Sequence, residues 1–557
     1  MFKKNFYVHF VLFAFVFPCM ANKCFADVAA QLQQATEYKD NGYYNQAEDL
    51  YKKIVSENAG TDNALKAQKG LAFLYLKTEY DVQSNANEQT ALDKLTTDFA
   101  ANPNLPAALY EIADEYSKAR KYGKAKALYQ EIIQQYPGTL YAGKSQLGIP
   151  KTDIIALIES KSDAAAKTAI GKFISYYSQN SYIAEALHDI AYQWRWSKNF
   201  EEAIKTYQYV VDHWPNDEYG MWSQMGVAKS NVEAGNFDAA KPALEKLLKN
   251  YATHPSLPEA LERIAIQYRK ANKFTEAKSL YQKIAEISPD SIFGNRAQVK
   301  IPAMDILADI VSGNDTAVGT AIDRLLTSFP NNKAIPAVLT DLAAEYEDIA
   351  KGSQAKTVYQ KIIDHYPDNF RAGKALIEIS KGQILEFLNA SQDDKVSAEI
   401  DRLVATYPKH AFLPDALCQI ANGYRRKATQ IKGKQGEDYL HKAIWIYEKV
   451  INELPASRNL MPQACCSAGE CLHMLGEYEN SIKYYQKIVD NYPFYDKTWH
   501  ALFMVGRNYE DMRKAKLISR TESLSKIRAV YKQLLEKYPD CPAAKYAESW
   551  LNDKRYR

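Results

Sequence analysis

Residues 136–148 read YPGTLYAGKSQLG, and within them Gly138-Thr-Leu-Tyr-Ala-Gly143-Lys144-Ser145 satisfies the phosphate-loop spacing G-x-x-x-x-G-K-[ST]. In a phosphate loop, glycine-rich backbone amides cradle the phosphates, the lysine reaches the terminal oxygens and the hydroxyl holds Mg2+. That chemistry needs a strand before the loop and a helix opening at the Lys-Ser pair. The chain supplies its own comparison. YPGTLYAGKSQLGI aligns without gaps to YPDNFRAGKALIEI at 366–379, where Asp368 replaces the first glycine and Ala375 the serine. A further copy, SPDSIFGNRAQVKI, keeps only the proline and the helical pattern. What precedes Gly138 is Tyr129–Tyr136, an amphipathic stretch of helical period. The motif reads as a turn between repeats, and no nucleotide is expected to bind.

Cys465, Cys466, Cys471 and His473 are the second group of chemically capable residues. On one helix, Cys465 and Cys471 lie about 9 Å apart along the axis and about 120° apart in direction. Cys466 and His473 share a face but are separated by about 10 Å. A single zinc with bonds of ~2 Å draws neither pair together, so no metal ligand is assigned. Cys465 takes a leucine position in the apolar stripe and reads as a small buried hydrophobe. The alternative is a disulfide to Cys418 or Cys541. Neither H-E-x-x-H nor G-x-S-x-G occurs, no pair of carboxylates is nominated as catalytic, and the chain is expected to be non-enzymatic and without a cofactor.

The elements that would position any site follow from composition and period. The chain has 557 residues, 46% hydrophobic and 25% charged, with a formal net charge of +3. This balance suits a soluble folded protein and gives no electrostatic argument for a nucleic-acid partner. Lys3 and Lys4 precede the apolar stretch Phe6–Phe17, and Cys24-Phe25-Ala26 offers a small-x-small cleavage site. Residues 1–26 therefore read as a signal peptide, and the chain as exported and periplasmic. The alternative is anchorage by an uncleaved N-terminal segment, although the apolar core is shorter than the ~20 residues of a spanning helix. No later apolar run is long enough for an integral membrane segment. Past residue 26 the cysteines are Cys418, Cys465, Cys466, Cys471 and Cys541, too localised for a disulfide-built scaffold.

Tyrosine, at 40 residues, betrays the architecture. YQEIIQQYP (129–137), YQYVVDHWP (207–215), YQKIAEISP (281–289) and YQKIIDHYP (359–367) are copies of one segment. YEKVINELP, YQKIVDNYP and YKQLLEKYP continue the series, and YKKIVSEN at Tyr51 starts it. Intervals from Tyr51 through Tyr129, Tyr207 and Tyr281 to Tyr359 are 78, 78, 74 and 78 residues. A fainter series (ALDKLTTDF, AIGKFISYY, ALEKLLKNY, AIDRLLTSF, EIDRLVATY) falls between, so the unit is ~39 residues, alternating sharp and degenerate copies. Within one unit, Leu109, Ile112, Ala113 and Tyr116 form one helical stripe and Ala125, Leu128, Tyr129, Ile132 and Ile133 another. Pro137 ends the second helix. Such a hairpin cannot bury its own apolar faces and must stack on its neighbours.

The spacing resembles the tetratricopeptide repeat. The matching positions are Leu109, Ala113, Tyr116, Ala125, Tyr129 and Pro137, then Leu187, Ala191, Trp194, Ala203, Tyr207 and Pro215. The copies Leu261–Pro289 and Leu339–Pro367 follow the same order. In repeat style the chain is similar to exported bacterial members associated with the Tol–Pal system and outer-membrane assembly. The unit exceeds the ~34 residues usual for the family, with the extra length after the proline. The resemblance implies an all-α, right-handed α-solenoid of about 13 hairpins. Its expected parts are repeats over 27–256, 257–412 and 413–540 and a C-terminal capping helix over 541–557. Insertions at 427–438 and 514–525 read as loop extensions or lengthened helices.

The resemblance also implies a groove lined by the first helix of each hairpin, holding protein or peptide partners in the cell envelope. Positions opposite the packing stripe are Tyr110, Asp114 and Lys118; His188, Tyr192, Arg195 and Trp196; Glu262, Arg269 and Lys270; Asn422, Arg425 and Arg426. Basic and aromatic residues close three of these helices, a chemistry suited to an acidic or C-terminal peptide. The alternative is a glycan- or peptidoglycan-binding envelope protein, with Trp196, Trp222 and Trp499 as stacking platforms.

Overall fold

A computed structural model describes residues 28–553 apart from 41, 43, 78–81, 409, 432, 455–459, 494, 496 and 540. The signal-peptide reading over 1–26 lies outside the described residues. The described chain is all-α, with no strand. It divides into two units: residues 109–379, and residues up to 108 together with those from 380 onward.

The helices in chain order begin with α1 (28–40), α2 (Tyr44–Glu57), α3 (Asp62–Lys77) and α4 (Val82–Asp98). Next come α5 (Leu105–Lys118), α6 (Tyr122–Gln135), α7 (Leu140–Glu159), α8 (Asp163–Tyr177), α9 (Ile183–Trp196) and α10 (Phe200–His213). They continue as α11 (Glu218–Glu233), α12 (Phe237–Asn250), α13 (Leu257–Lys270), α14 (Phe274–Ile287), α15 (Ile292–Ser312) and α16 (Asp315–Ser328). The series goes on with α17 (Ile335–Asp348), α18 (Gly352–His365), α19 (Phe370–Asn389), α20 (Asp393–Thr406), α21 (Leu413–Gln430) and α22 (Lys434–Asn452). It closes with α23 (Met461–Met474), α24 (Tyr478–Asn491), α25 (Thr498–Lys514), α26 (Arg520–Lys537) and α27 (Ala544–Asn552). Odd helices open hairpins and even helices close them. Both insertions are absorbed as longer helices, since α21, α22, α25 and α26 run 18, 19, 17 and 18 residues.

In the 109–379 unit the opening helices α7 to α15 each pack on their hairpin partner and on the next opening helix, as α7 on α9, α9 on α11 and α11 on α13. This nearest-neighbour pattern defines a solenoid. Local chemistry sets the boundaries. After each sharp repeat the string Pro-x-[Thr/Asp/Ser/Asn] stops one helix and caps the next. Thr139 accepts from the Ala142 amide at 3.2 Å, Asp217 from Tyr219 at 2.8 Å, and Ser291 from Gly294 at 3.0 Å. The Asn369 side chain does the same for Arg371 at 3.0 Å. The opening helices alternate in length: α5, α9, α13 and α17 have 14 residues, whereas α7, α15 and α19 have 20, 21 and 20. Helix α11 has only 16, which accounts for the 74-residue interval.

The repeated tyrosines hold the stack. Tyr51, Tyr129 and Tyr207 are buried, each ring lodged over a glycine of the next helix, Gly70, Gly148 and Gly226. A Cβ would stand 2.6, 2.7 and 2.7 Å from those rings, closer than van der Waals contact allows. Later copies vary this. Lys300 occupies the equivalent place over Tyr281, its Nζ 5.3 Å from the ring centre. Among the described residues no helix is long and apolar enough to cross a membrane.

Gly226→Ala is expected to lower stability by about 1–3 kcal/mol through overpacking against Tyr207. Gly171→Ala, on an open face of α8 with nothing within 4 Å of the new atom, should be neutral or gain up to about 1 kcal/mol. Denaturant melts of both variants check the lock; equal effects would remove it.

Candidate functional site

The phosphate-loop string folds as the inter-repeat turn. Gly138 has φ +81°, Thr139 caps α7, and the helix starts at Leu140, so Lys144 and Ser145 fall inside it. The preceding element is helix α6, not a strand. Lys144 pairs with Glu185 of α9 at 2.6 Å and lies over the rings of Tyr110 and Tyr182. The Ser145 side chain is fully buried. No amide nest faces a phosphate here.

One turn beyond the Gly148 contact, Lys151 is sunk in the first-helix face with its side chain 3% exposed. It bridges Asp114 of α5 at 2.9 Å and Asp189 of α9 at 2.7 Å, and the Tyr129 hydroxyl donates to Asp114. Burial alone pushes an ammonium down; the two carboxylates overcome this and hold Lys151 well above the usual lysine value. Burial likewise opposes the charge on Asp189, yet Lys151 holds its carboxyl below the usual range. Three successive opening helices are thus tied by one buried cation.

The same position recurs one long unit later as Lys229 of α11, and its flanks differ. Where Lys151 has Asp114 and Asp189, the register gives Lys229 Tyr192 of α9 and Arg263 of α13. Among the described residues Lys229 makes no hydrogen bond or ion pair. Its pKa is pushed down to about 8, by burial first and then by Arg195, with Glu233 opposing and Arg263 and Lys270 adding repulsion. Arg195 is committed to Glu233 at 2.8 Å and stacks on Tyr192 at 4.7 Å. Arg263 pairs with Glu259 at 2.6 Å and lies 5.1 Å over the Trp222 ring. The result is a cationic patch walled by Tyr192 and Trp222, with one ammonium that makes no ion pair of its own because the nearby Glu233 is taken by Arg195.

The residues expected to face a partner divide sharply. Tyr110, Arg195 and Glu262 are buried; Tyr110 packs against Tyr129 and Tyr141, and Glu262 accepts from Arg296 and Lys300. Asp114 serves Lys151 and Tyr129, and Lys118 pairs with Glu115 at 2.6 Å. His188 is half-buried, lies 3.0 Å from the Ser223 hydroxyl, and has its pKa pushed down to about 4 by burial, so it is neutral. Asn422 accepts from the Tyr447 hydroxyl at 2.8 Å, and Arg425 donates to Glu470. Arg269 is half-buried beside Tyr281, Lys300 and Asp341 around a cavity of about 100 Å³. Tyr192 at 39% exposure, Trp196 at 66%, Lys270 and Arg426 remain in solvent. The structure therefore gathers Tyr192, Arg195 and Lys270 around Lys229 and adds Trp222 and Arg263 to them. Comparing Lys151 with Lys229 across the repeat interval was the available signal for that patch.

All five described cysteines are free, with Cys418, Cys465 and Cys471 buried and Cys466 and Cys541 half-buried. Burial pushes the Cys465 thiol up to about 11 and those of Cys418 and Cys471 to about 12, so they behave as packing groups. On the closing-helix side, an open apolar groove of about 850 Å³ lies between α7 and α8, lined by Pro150, Ile154 and Phe173. Tyr176 on its rim is 83% exposed.

Family models for the tetratricopeptide repeat match residues 228–292 in one case and residues 107–139 and 468–494 in another. The fold and these matches define the class: a helical-repeat protein with tetratricopeptide repeats at residues 107–139, 228–292 and 468–494. In sequence the chain is 22% identical over 304 residues to cellulose synthase operon protein C of Pseudomonas fluorescens (strain SBW25). The match takes in 52% of this chain but only 22% of that relative's length. Solved structures with which it aligns include a tetratricopeptide repeat protein from Parabacteroides merdae ATCC 43184, at 14% identity and TM-score 0.26, over 52% of this chain and 98% of that one. Yeast Tom70 aligns at 12% identity and TM-score 0.31, over 87% of this chain and 96% of that one.

Lys151→Met should cost about 3–5 kcal/mol near pH 7, because it leaves two carboxylates facing each other without their cation. In the wild type Asp189 is more acidic folded than unfolded, so the pair's contribution is complete above about pH 4 and drains as pH falls below it. In the variant the facing carboxylates favour protonation, so the deficit should shrink between about pH 7 and pH 4. Urea unfolding at both pH values reads the difference; a deficit that does not change with pH would show that Lys151 neutralises neither carboxylate.

Proposed function

We propose that the chain is a non-enzymatic scaffold, exported to the cell envelope, which holds protein or peptide partners on its opening-helix face and takes an acidic segment of the partner at Lys229. The observation that carries this reading is the contrast between two equivalent lysines. Lys151 is neutralised from within by Asp114 and Asp189, and Lys229 is not. A carboxylate supplied by a partner would stand where Asp189 stands, between Lys229 and Arg263, with Trp222 and Tyr192 as walls. Arg263 offers a planar fork for a carboxylate once released from Glu259, and both aromatic faces add contact area at small entropy cost. The tetratricopeptide matches support a protein partner, and one of them, 228–292, includes Lys229, Arg263 and Lys270. The charged N-terminus with its apolar core supports export. The name of the relative, cellulose synthase operon protein C, supports a link to cellulose synthesis.

That name also favours a second reading, in which the ligand is the glycan itself, stacked on Trp196 and Trp222. The two readings part on the groups that matter. Affinity capture from solubilised envelope with the wild type and Lys229→Glu/Arg263→Glu is expected to lose its protein partner on charge reversal, by at least about 10-fold in affinity. Binding should weaken as salt rises. Retention on purified cellulose or peptidoglycan that disappears in Trp196→Ala/Trp222→Ala but survives charge reversal would transfer the assignment to glycan.

A further inference from the structure

We propose that Cys466, Glu470 and His500 form a binding site for one thiophilic divalent metal ion of the zinc class, set on the opening-helix face of α23 and α25. Cys466 and Glu470 are one helical turn apart on α23 and share a face. His500 comes from the first turn of α25, so the set spans two successive repeats. The Cys466 sulfur lies 3.8 Å from His500 Nδ1 and 3.8 Å from Glu470 Oε1, and the three donor atoms all fall within 4.8 Å of one another. A tetrahedral zinc, with bonds of about 2.3 Å to sulfur and about 2.1 Å to nitrogen, sets those two donors about 3.5 Å apart. Closure on an ion therefore takes small side-chain rotations and no helix movement.

The surroundings prepare each ligand. His500 turns its Nδ1 toward the Cys466 sulfur, and a ring nitrogen is the atom by which a neutral imidazole ligates. Glu470 turns its Oε2 to the Arg425 guanidinium and keeps Oε1 toward Cys466, an outer partner of the kind that fixes a ligating carboxylate. Metal binds the thiolate, so an ion seated here displaces the Cys466 proton to the buffer. One thiolate, one imidazole and one carboxylate suit zinc or cobalt and exclude the all-oxygen preference of Mg2+ and Ca2+. The buried ring of Tyr485 lies beside the set, 6.4 Å from that of His500 and edge-on to it. Cys465 and Cys471 point elsewhere in α23 and take no part. The sequence hides the set because its third member sits a repeat away from the cysteine cluster.

The test uses the full chain stripped of metal and titrated with Co2+. One cobalt per chain is expected, with a thiolate-to-cobalt charge-transfer band in the near ultraviolet, release of about one proton, and displacement by Zn2+. Cys466→Ser should abolish the band, Cys471→Ser should leave it, and Arg425→Gln should weaken binding about 10–100-fold. His500→Gln, which should weaken binding at least as much, serves if Cys466→Ser fails to fold by circular dichroism. A wild type without the band, a band that persists in Cys466→Ser, or one that vanishes in Cys471→Ser would overturn the assignment.

Discussion

Three junctions of this molecule depend on a contact that no single hairpin can make: the ring of a closing-helix tyrosine pressed on the backbone of the next opening helix. Tyr51, Tyr129 and Tyr207 meet Gly70, Gly148 and Gly226 so closely that a methyl group would not fit. The contact fixes how near consecutive hairpins come, and so decides which side chains of neighbouring opening helices reach one another. Lys151 reaches both Asp114 and Asp189 because α5, α7 and α9 are held at that spacing. Apolar burial supplies most of the stability of such an array, while the glycine sites supply its register.

Charge is distributed on this frame with a purpose that the net value of +3 conceals. Most charged groups on the opening-helix face of the 109–379 unit are consumed internally: Lys144 by Glu185, Lys151 by two aspartates, Arg195 by Glu233, and Glu262 by Arg296 and Lys300. Ion pairs between adjacent repeats cost desolvation and return little net stability, but they reject wrong neighbours. The half-buried ammonium of Lys229, which makes no ion pair, is a different matter. Under the proposed reading, the free energy spent on keeping Lys229 charged, or on discharging it, is recovered when a partner's anion arrives, and the position is an affinity reserve rather than a structural tie.

The period, the helix ends and the stacking tyrosines were legible in the sequence, because each is a local property of one repeat. Pro137 and Thr139 announce a stop and a start within three residues, and Leu109, Ala113 and Tyr116 mark a buried stripe by themselves. The proposed partner face was only half legible. Tyr110, Arg195 and Glu262 stand opposite their own helix's stripe, yet the next opening helix covers them, and a helical wheel drawn for one helix contains no neighbour. Tyr192, Trp196 and Lys270 escape cover and stay in solvent. The Cys466, Glu470 and His500 group is invisible for the same reason: spacing within one helix does not show it, because His500 arrives from the following hairpin.

The short helix α11 shows how such a chain tolerates a change of length. Relative to α7 it lacks four residues, close to one helical turn of 3.6. Removing a whole turn leaves the apolar stripe in phase, so the hairpins on either side keep their partners. Removing two residues would swing everything downstream by about 200° and turn its buried side to water. Length variation in this solenoid is thus quantised, and insertions or deletions that survive in it should arrive in steps of three or four.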